Sequence, residues 1–172
     1  RFRREMESLE QLEHPNIVRF IEAGEANGIL YITMELLHGS DLSRLVKSRG
    51  PLPVGLVCFV GQQVAVALDH AFKKGIVHRD VKPSNIFLTK EGELKLLDLG
   101  LARPLTDDSA SITHSDQLLG TIDYMSPEQA FDSHQADLRS DIYSLGCTLY
   151  TLLVGVAPFG GPEFNHVLKK LL

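Results

Sequence analysis

Eight consecutive residues, His78-Arg79-Asp80-Val81-Lys82-Pro83-Ser84-Asn85, bring together one carboxylate, three basic or potentially basic groups and one primary amide. The apolar runs Gly75-Ile76-Val77 before them and Ile86-Phe87-Leu88 after them read as buried strands, so the polar residues form a loop pinned at both ends. A loop held in this way keeps its side chains in fixed positions, and fixed acidic, amide and ammonium groups are the material of proton transfer and charge stabilisation. Eighteen residues after Asp80 stands a second acid, Asp98, in Leu96-Leu97-Asp98-Leu99-Gly100, at the end of an apolar strand and before a glycine suited to a sharp turn. Taken singly, each residue has an ordinary explanation: Asp and Asn are turn formers, and a lone His such as His78 is more often packed than reactive. The set in this register does not.

The segment resembles the catalytic loop of the protein kinases, H-R-D-x-K-P-x-N, and Asp98-Leu99-Gly100 resembles the D-F-G of that family with Leu in place of Phe. Phosphoryl transfer from ATP needs a carboxylate for the acceptor hydroxyl and oxygen ligands for Mg²⁺, a hard cation. The resemblance gives the first task to Asp80 and the second to Asn85 and Asp98, with Lys82 neutralising the transferred phosphate and His78 structural. Lys82, and Gly120-Thr121 ahead of Ser126-Pro127-Glu128, resemble the Ser/Thr branch, and Arg1 to Glu5 with Met125 to Ala130 resemble the eukaryotic-like kinases of bacteria. The implied fold is α+β with two lobes: residues 1–37 part of a small lobe and the hinge, residues 38–172 a large, mainly helical lobe incomplete at its C-terminal end.

Composition agrees with a globular enzyme: 44% hydrophobic and 23% charged residues, with a net charge of −5 that disfavours a nucleic-acid surface. Cys58 and Cys147 stand in apolar surroundings and read as buried free thiols, in keeping with a reducing cytoplasm. No apolar run looks long enough to cross a membrane and no signal peptide opens the chain, although a full-length protein could be anchored elsewhere.

The positioning elements follow in order. Phe2, Met6, Leu9 and Leu12 lie on one face of a helix, in which Glu5 matches the kinase glutamate that pairs with the ATP-contacting lysine. His14-Pro15-Asn16 ends it. A strand from Ile17 to Ile21, a turn at Asn27-Gly28 and a strand from Ile29 to Glu35 follow. By the resemblance Met34 is the gatekeeper, Glu35 to Leu37 form the adenine-binding hinge, and Phe87 lies under the nucleotide. Ser40 or Asp41 caps a short helix, and Val54 to Lys73 form a long one with the stripe Val57, Val60, Val64, Ala67, Leu68 and Ala71. Strands run over Ile86 to Leu88 and Leu94 to Leu97, and Asp141 opens a last apolar helix to about Val154. The kinase acid at Asp141 holds the catalytic-loop backbone and is structural, as is Glu128 of the segment end.

Residues 98–128 are polar and without periodicity, which suits an activation segment. A phosphate on Thr113, or on Ser115, would add about −1.5 to −2 charges and pair with Arg79, while Thr121 contacts the catalytic loop. Neither the G-x-G-x-x-G loop nor the strand lysine of the family is found, so the chain is expected to be an internal piece of a kinase domain with little activity by itself. The other class of function is a pseudokinase or scaffold, whose usual mark is loss of the positions held here by Asp80, Asn85 or Asp98. The implied partners are proteins bearing Ser or Thr acceptors, with a dimer of the full protein allowed.

Overall fold

A computed structural model describes residues 12–99, 122–132 and 136–159. The expected helix around Glu5, the phosphate acceptors Thr113 and Ser115, Thr121 and the last amphipathic stretch lie outside the described residues.

Asn27 and Gly28 both adopt positive φ, 53° and 77°. That is the two-residue hairpin geometry whose twist matches the strands it joins. It connects β1 (Phe20–Ala26) to β2 (Ile29–Met34), paired antiparallel from Phe20 opposite Met34 to Ala26 opposite Ile29. The first strand starts at Phe20 rather than Ile17, because Ile17 is used elsewhere: it bridges in parallel to Leu96. Val18 N–H donates to Leu96 O at 3.0 Å, Leu96 N–H to Asn16 O at 2.8 Å, and the Asn16 amide to Leu94 O at 3.0 Å. The turn His14-Pro15-Asn16 therefore fastens the hairpin side of the chain to the strand that leads into Asp98.

A second sheet has the order β3 (Gly39–Asp41), β4 (Ile86–Thr89), β5 (Leu94–Leu96), all antiparallel. Ser40 belongs to β3, and Asp41 alone caps α1 (Leu42–Arg49), accepting the Arg44 N–H at 2.9 Å. Gly39 is required by close approach: a Cβ there would run into the Leu88 carbonyl.

The large core lies between α2 (Val54–Lys73) and α4 (Leu138–Val154), separated in sequence by the short α3 (Pro127–Phe131). Val57, Val60, Val64, Ala67, Leu68 and Ala71 are buried along α2, as the periodicity predicts, and meet Leu145 and Leu152 of α4 with Ile86, Leu94 and Leu96 of the sheet. Cys147 is buried, but Cys58 is exposed. One residue past Val57 on a helix is about 100° round from the buried row, so an apolar neighbourhood in sequence did not bury it. Helix α2 is also long and apolar enough to cross a membrane by length and composition, contrary to the expectation of no such run, but its buried row is the core of this fold.

Gly75-Ile76-Val77 is not a strand. Gly75, at φ 77°, ends α2: its N–H donates to Phe72 O at 2.8 Å and the Ile76 N–H reaches back to Ala71 O at 3.0 Å. These are the paired bonds of a Schellman motif, and they use the donors that a sheet would need. The anchor before the polar loop is a helix end.

Candidate active site

Three of the sequence candidates meet in one cluster. Pro83–Asn85 form a single 3₁₀ turn, with Pro at its first position and the Asn85 N–H donating to Lys82 O at 2.9 Å. The turn folds the Asn85 amide back on Asp80, where Nδ2 donates to the carbonyl at 2.9 Å and to Oδ2 at 2.9 Å. Lys82 Nζ lies 2.8 Å from the same Oδ2. Asp80 and Lys82 keep 18% and 19% of their side-chain surface, enough for a substrate to reach them.

The backbone carrying Asp80 is held in an unfavourable shape. Arg79 has φ 68°, a region that costs a non-glycine residue on the order of 1 kcal/mol or more. Asp141, 1% exposed, fixes it: one carboxylate oxygen accepts the His78 N–H at 2.9 Å and the other the Arg79 N–H at 2.7 Å. Helix α4 begins earlier than expected, with Asp137 as its cap accepting the Arg139 N–H at 2.8 Å, so that Asp141 sits inside the first turn. Three more side chains of α4 support the same region. Thr148 Oγ1 donates to Val81 O at 3.3 Å, Ser144 Oγ to Tyr124 O at 2.8 Å, and Ser140 Oγ to Glu128 Oε1 at 2.7 Å. Burial opposes the charge of Glu128, but the Ser140 hydroxyl and nearby donors outweigh it and hold the carboxyl below its usual range.

His78 joins the two acidic segments. It is fully buried, and its Nε2 lies 2.9 Å from Leu97 O, an atom that only accepts, so the ring proton is on Nε2. That leaves Nδ1 to accept the Asp80 N–H at 3.2 Å. The Leu97 N–H in turn donates to Asn85 O at 2.9 Å, which brings Asp98 beside the Asn85 turn. Asp98 itself has φ 58°, after Asn27 and Arg79 a third non-glycine residue in the left-handed region. Leu99 is buried in the core, so the leucine does the packing expected of the family's phenylalanine.

A pH dependence of stability follows. Burial, against the pull of Asp141, lowers the pKa of His78, and burial with His70 and Lys95 lowers that of His14, whose Nδ1 accepts the Asn16 N–H at 3.1 Å. Both rings are neutral acceptors when folded, so the unfolded chain binds more protons and stability falls with pH below the unfolded value of about 6.5. Burial raises the pKa of Asp141, which works the other way at more acidic pH. Thermal unfolding between pH 8 and 5 is expected to show a flat melting temperature above pH 7 and a fall below 6.5, smaller in a His14→Gln variant. A melting temperature that rises on acidification would contradict it.

Towards the hairpin, Met34 is partly exposed and lines a small apolar cavity with Leu12, Ile17, Val18, Phe20, Ile32, Asp98 and Leu99. Glu35 N–H donates to Arg19 O at 2.9 Å, and its carboxylate accepts the Arg19 N–H at 2.8 Å and lies 3.3 Å from Lys95 Nζ. Burial works against this charge, but the Arg19 N–H and the Lys95 ammonium overcome it and lower its pKa. The side chain of Glu35 thus faces β5, and Leu37 is half-buried beyond it. Phe87, opposite Asp41 and Lys95 on β4, is half-buried. The donor set fits a hard cation: both side-chain bonds of Asn85 use the amide nitrogen, leaving its carbonyl oxygen, and Asp98 supplies a carboxylate. Among the described residues no group of three His, Cys, Asp or Glu forms a metal cage, so any such ion would rely on phosphate oxygens as well.

Sequence reasoning missed Ser140, Ser144 and Thr148, although their spacing of four on an otherwise apolar helix marks one polar face. It also missed Lys95 and Gln129, for which spacing gives no signal.

Residues 1–171 match the family model described as protein kinase domain. The chain is 43% identical over 172 residues to the serine/threonine-protein kinase PrkC of Bacillus subtilis, covering 100% of this chain and 26% of the relative. It is 43% identical over 176 residues to PknB of Mycolicibacterium smegmatis, covering 97% and 28%. It thus spans about a quarter of the length of these relatives. Among solved structures, Rad53 in complex with AMP-PNP superposes with a TM-score of 0.79 at 29% identity, over 98% of this chain and 42% of the other.

Proposed function

Since the chain belongs to the protein kinase domain family, we propose that it carries the catalytic loop of a serine/threonine protein kinase acting on protein hydroxyls with ATP and Mg²⁺. The observation that carries this reading is the cluster in which Asp80 Oδ2 meets Lys82 at 2.8 Å and Asn85 at 2.9 Å. The substrate hydroxyl gives its proton to the Asp80 carboxylate as its oxygen bonds to the γ-phosphorus, and the bond from that phosphorus to the β–γ bridging oxygen breaks. Lys82 faces the charge that develops on the phosphoryl oxygens. Mg²⁺ would be held by Asn85 and Asp98 and supplies neutralisation of the phosphates. The occupied Asp80, Asn85 and Asp98 positions weigh against a pseudokinase. Residues 1–37 are assigned to the small lobe and hinge, where Met34, Glu35, Leu37 and Glu5 serve the nucleotide, and Phe87 closes it from the large lobe; ATP places the domain in the cytoplasm.

The experiment is incubation of the full-length protein with Mg²⁺-ATP and matched Ser, Thr and Tyr peptides. Phosphate is expected on Ser and Thr peptides alone, and mass spectrometry of the protein is expected to find it on Thr113 or Ser115, where it would pair with Arg79. Transfer to no peptide, or to tyrosine only, would reject the proposal.

A further inference from the structure

The peptide unit between Arg79 and Asp80 is gripped from a second direction. Gln129, in the middle of α3, donates from Nε2 to Arg79 O at 2.6 Å across 50 residues of sequence. Arg79 is the residue in the strained left-handed conformation, and its N–H is already held by Asp141 at 2.7 Å. One side chain thus fixes the amide and another the carbonyl of the residue just before Asp80. Flipping that carbonyl away would rotate the same peptide unit, whose Asp80 N–H bonds His78 Nδ1, and swing the Asp80 carboxylate from Lys82 and Asn85. The location of Gln129 is itself fixed. Ser126 caps α3 and accepts the Gln129 N–H at 3.4 Å, while Glu128 is tied to Ser140 of α4. Gln129 Oε1 and Arg79 Nε are both buried and have no hydrogen-bond partner among the described residues.

We infer that Gln129 is a positioning residue for Asp80, one that transmits the placement of residues 126–131 to the catalytic loop through the Arg79 carbonyl. This rests on the reading of Asp80 as the proton acceptor. It differs from Asp141, which accepts the N–H groups of His78 and Arg79 from within α4. Gln129 comes from the short helix that closes the segment after Asp98, so any displacement of that segment's end would be felt at Asp80 through one hydrogen bond.

The test compares Gln129→Leu and Gln129→Glu in the full-length protein. Leucine removes the donor at similar volume. Glutamate keeps the shape but offers an oxygen to the carbonyl at neutral pH. Both variants are expected to lower kcat about tenfold, with KM for ATP and for peptide within twofold of the parent, because binding surfaces are untouched and only the placement of Asp80 changes. Hydrogen–deuterium exchange of peptides spanning residues 76–85 is expected to quicken in both variants, while peptides of α2 keep their protection. In the Glu variant, activity relative to the parent is expected to recover in part as pH falls and the carboxyl regains a proton to donate. A kcat that falls only in step with global loss of protection, or unchanged exchange in residues 76–85 in both variants, overturns the inference. If the parent phosphorylates no peptide, the kinase reading fails, and the exchange comparison alone still decides whether Gln129 restrains this loop.

Discussion

Replacing Asp80 with Asn is expected to lower kcat by about a thousandfold while leaving the fold in place. General-base removal at a positioned site is worth about 10²- to 10⁴-fold, and here the substitution also disturbs positioning. Asp80 Oδ2 accepts from both Lys82 and Asn85, at 2.8 and 2.9 Å, and a neutral amide oxygen in its place holds the Lys82 ammonium less strongly. The stability change should be small by contrast. The Asp80–Lys82 pair is partly exposed on both sides, and such pairs contribute about 1 kcal/mol or less. The diagnostic outcome is therefore a separation: kcat down by three orders of magnitude, KM for ATP within a few-fold, and melting temperature within a few degrees, measured on the same preparation. A variant with parental kcat would remove Asp80 from the mechanism, and a variant that unfolds would show that the pair is structural.

That separation explains what was legible in the sequence. Asp80, Lys82 and Asn85 are close in sequence, and a loop of eight residues between two anchored ends leaves little freedom, so type and spacing alone put them together. The hairpin was readable for a similar reason: Asn27-Gly28 requires positive φ at both positions, and only one turn type meets that demand. The periodicity of α2 likewise named its buried row. What was not readable depends on long-range pairing. Gly75-Ile76-Val77 looks like a strand because it is short and apolar, but the Schellman bonds to Ala71 and Phe72 decide its shape, and only the helix end reveals them. Ile17 left β1 for Leu96, a partner 79 residues away. Lys95 and Gln129 sit in ordinary polar positions, and nothing in their own neighbourhoods says that one will meet Glu35 and the other the Arg79 carbonyl. Cys58 shows the reverse error, since apolar neighbours in sequence mean little for a helix residue whose face turns about 100° per step.

Asp141→Ala is expected to be the most destabilising single change in the described part of the chain. Asp141 is buried to within 1% of its surface and sits on α4, the helix against which α2 packs, yet its carboxylate faces backbone rather than a cation. Alanine would leave the His78 and Arg79 N–H groups without acceptors in a dry site, at roughly 1–3 kcal/mol each. It would also remove the carboxylate that helps Arg79 stay at φ 68° and that faces the buried His78 ring. A total loss of about 3–5 kcal/mol is expected, a large share of the 5–15 kcal/mol typical of a domain. Burial opposes the charged form of Asp141, so the penalty comes from abandoned donors and not from a lost ion pair. Asparagine should therefore recover part of the loss: one of its two terminal atoms still accepts, while the other sets an N–H against a backbone N–H. The expected order of stability is Asp, then Asn, then Ala, read as the free energy of unfolding in urea with an unchanged m-value. Equal stability of the parent and the Ala variant would mean that the loop finds other acceptors, and that the strained Arg79 backbone is held from somewhere other than α4.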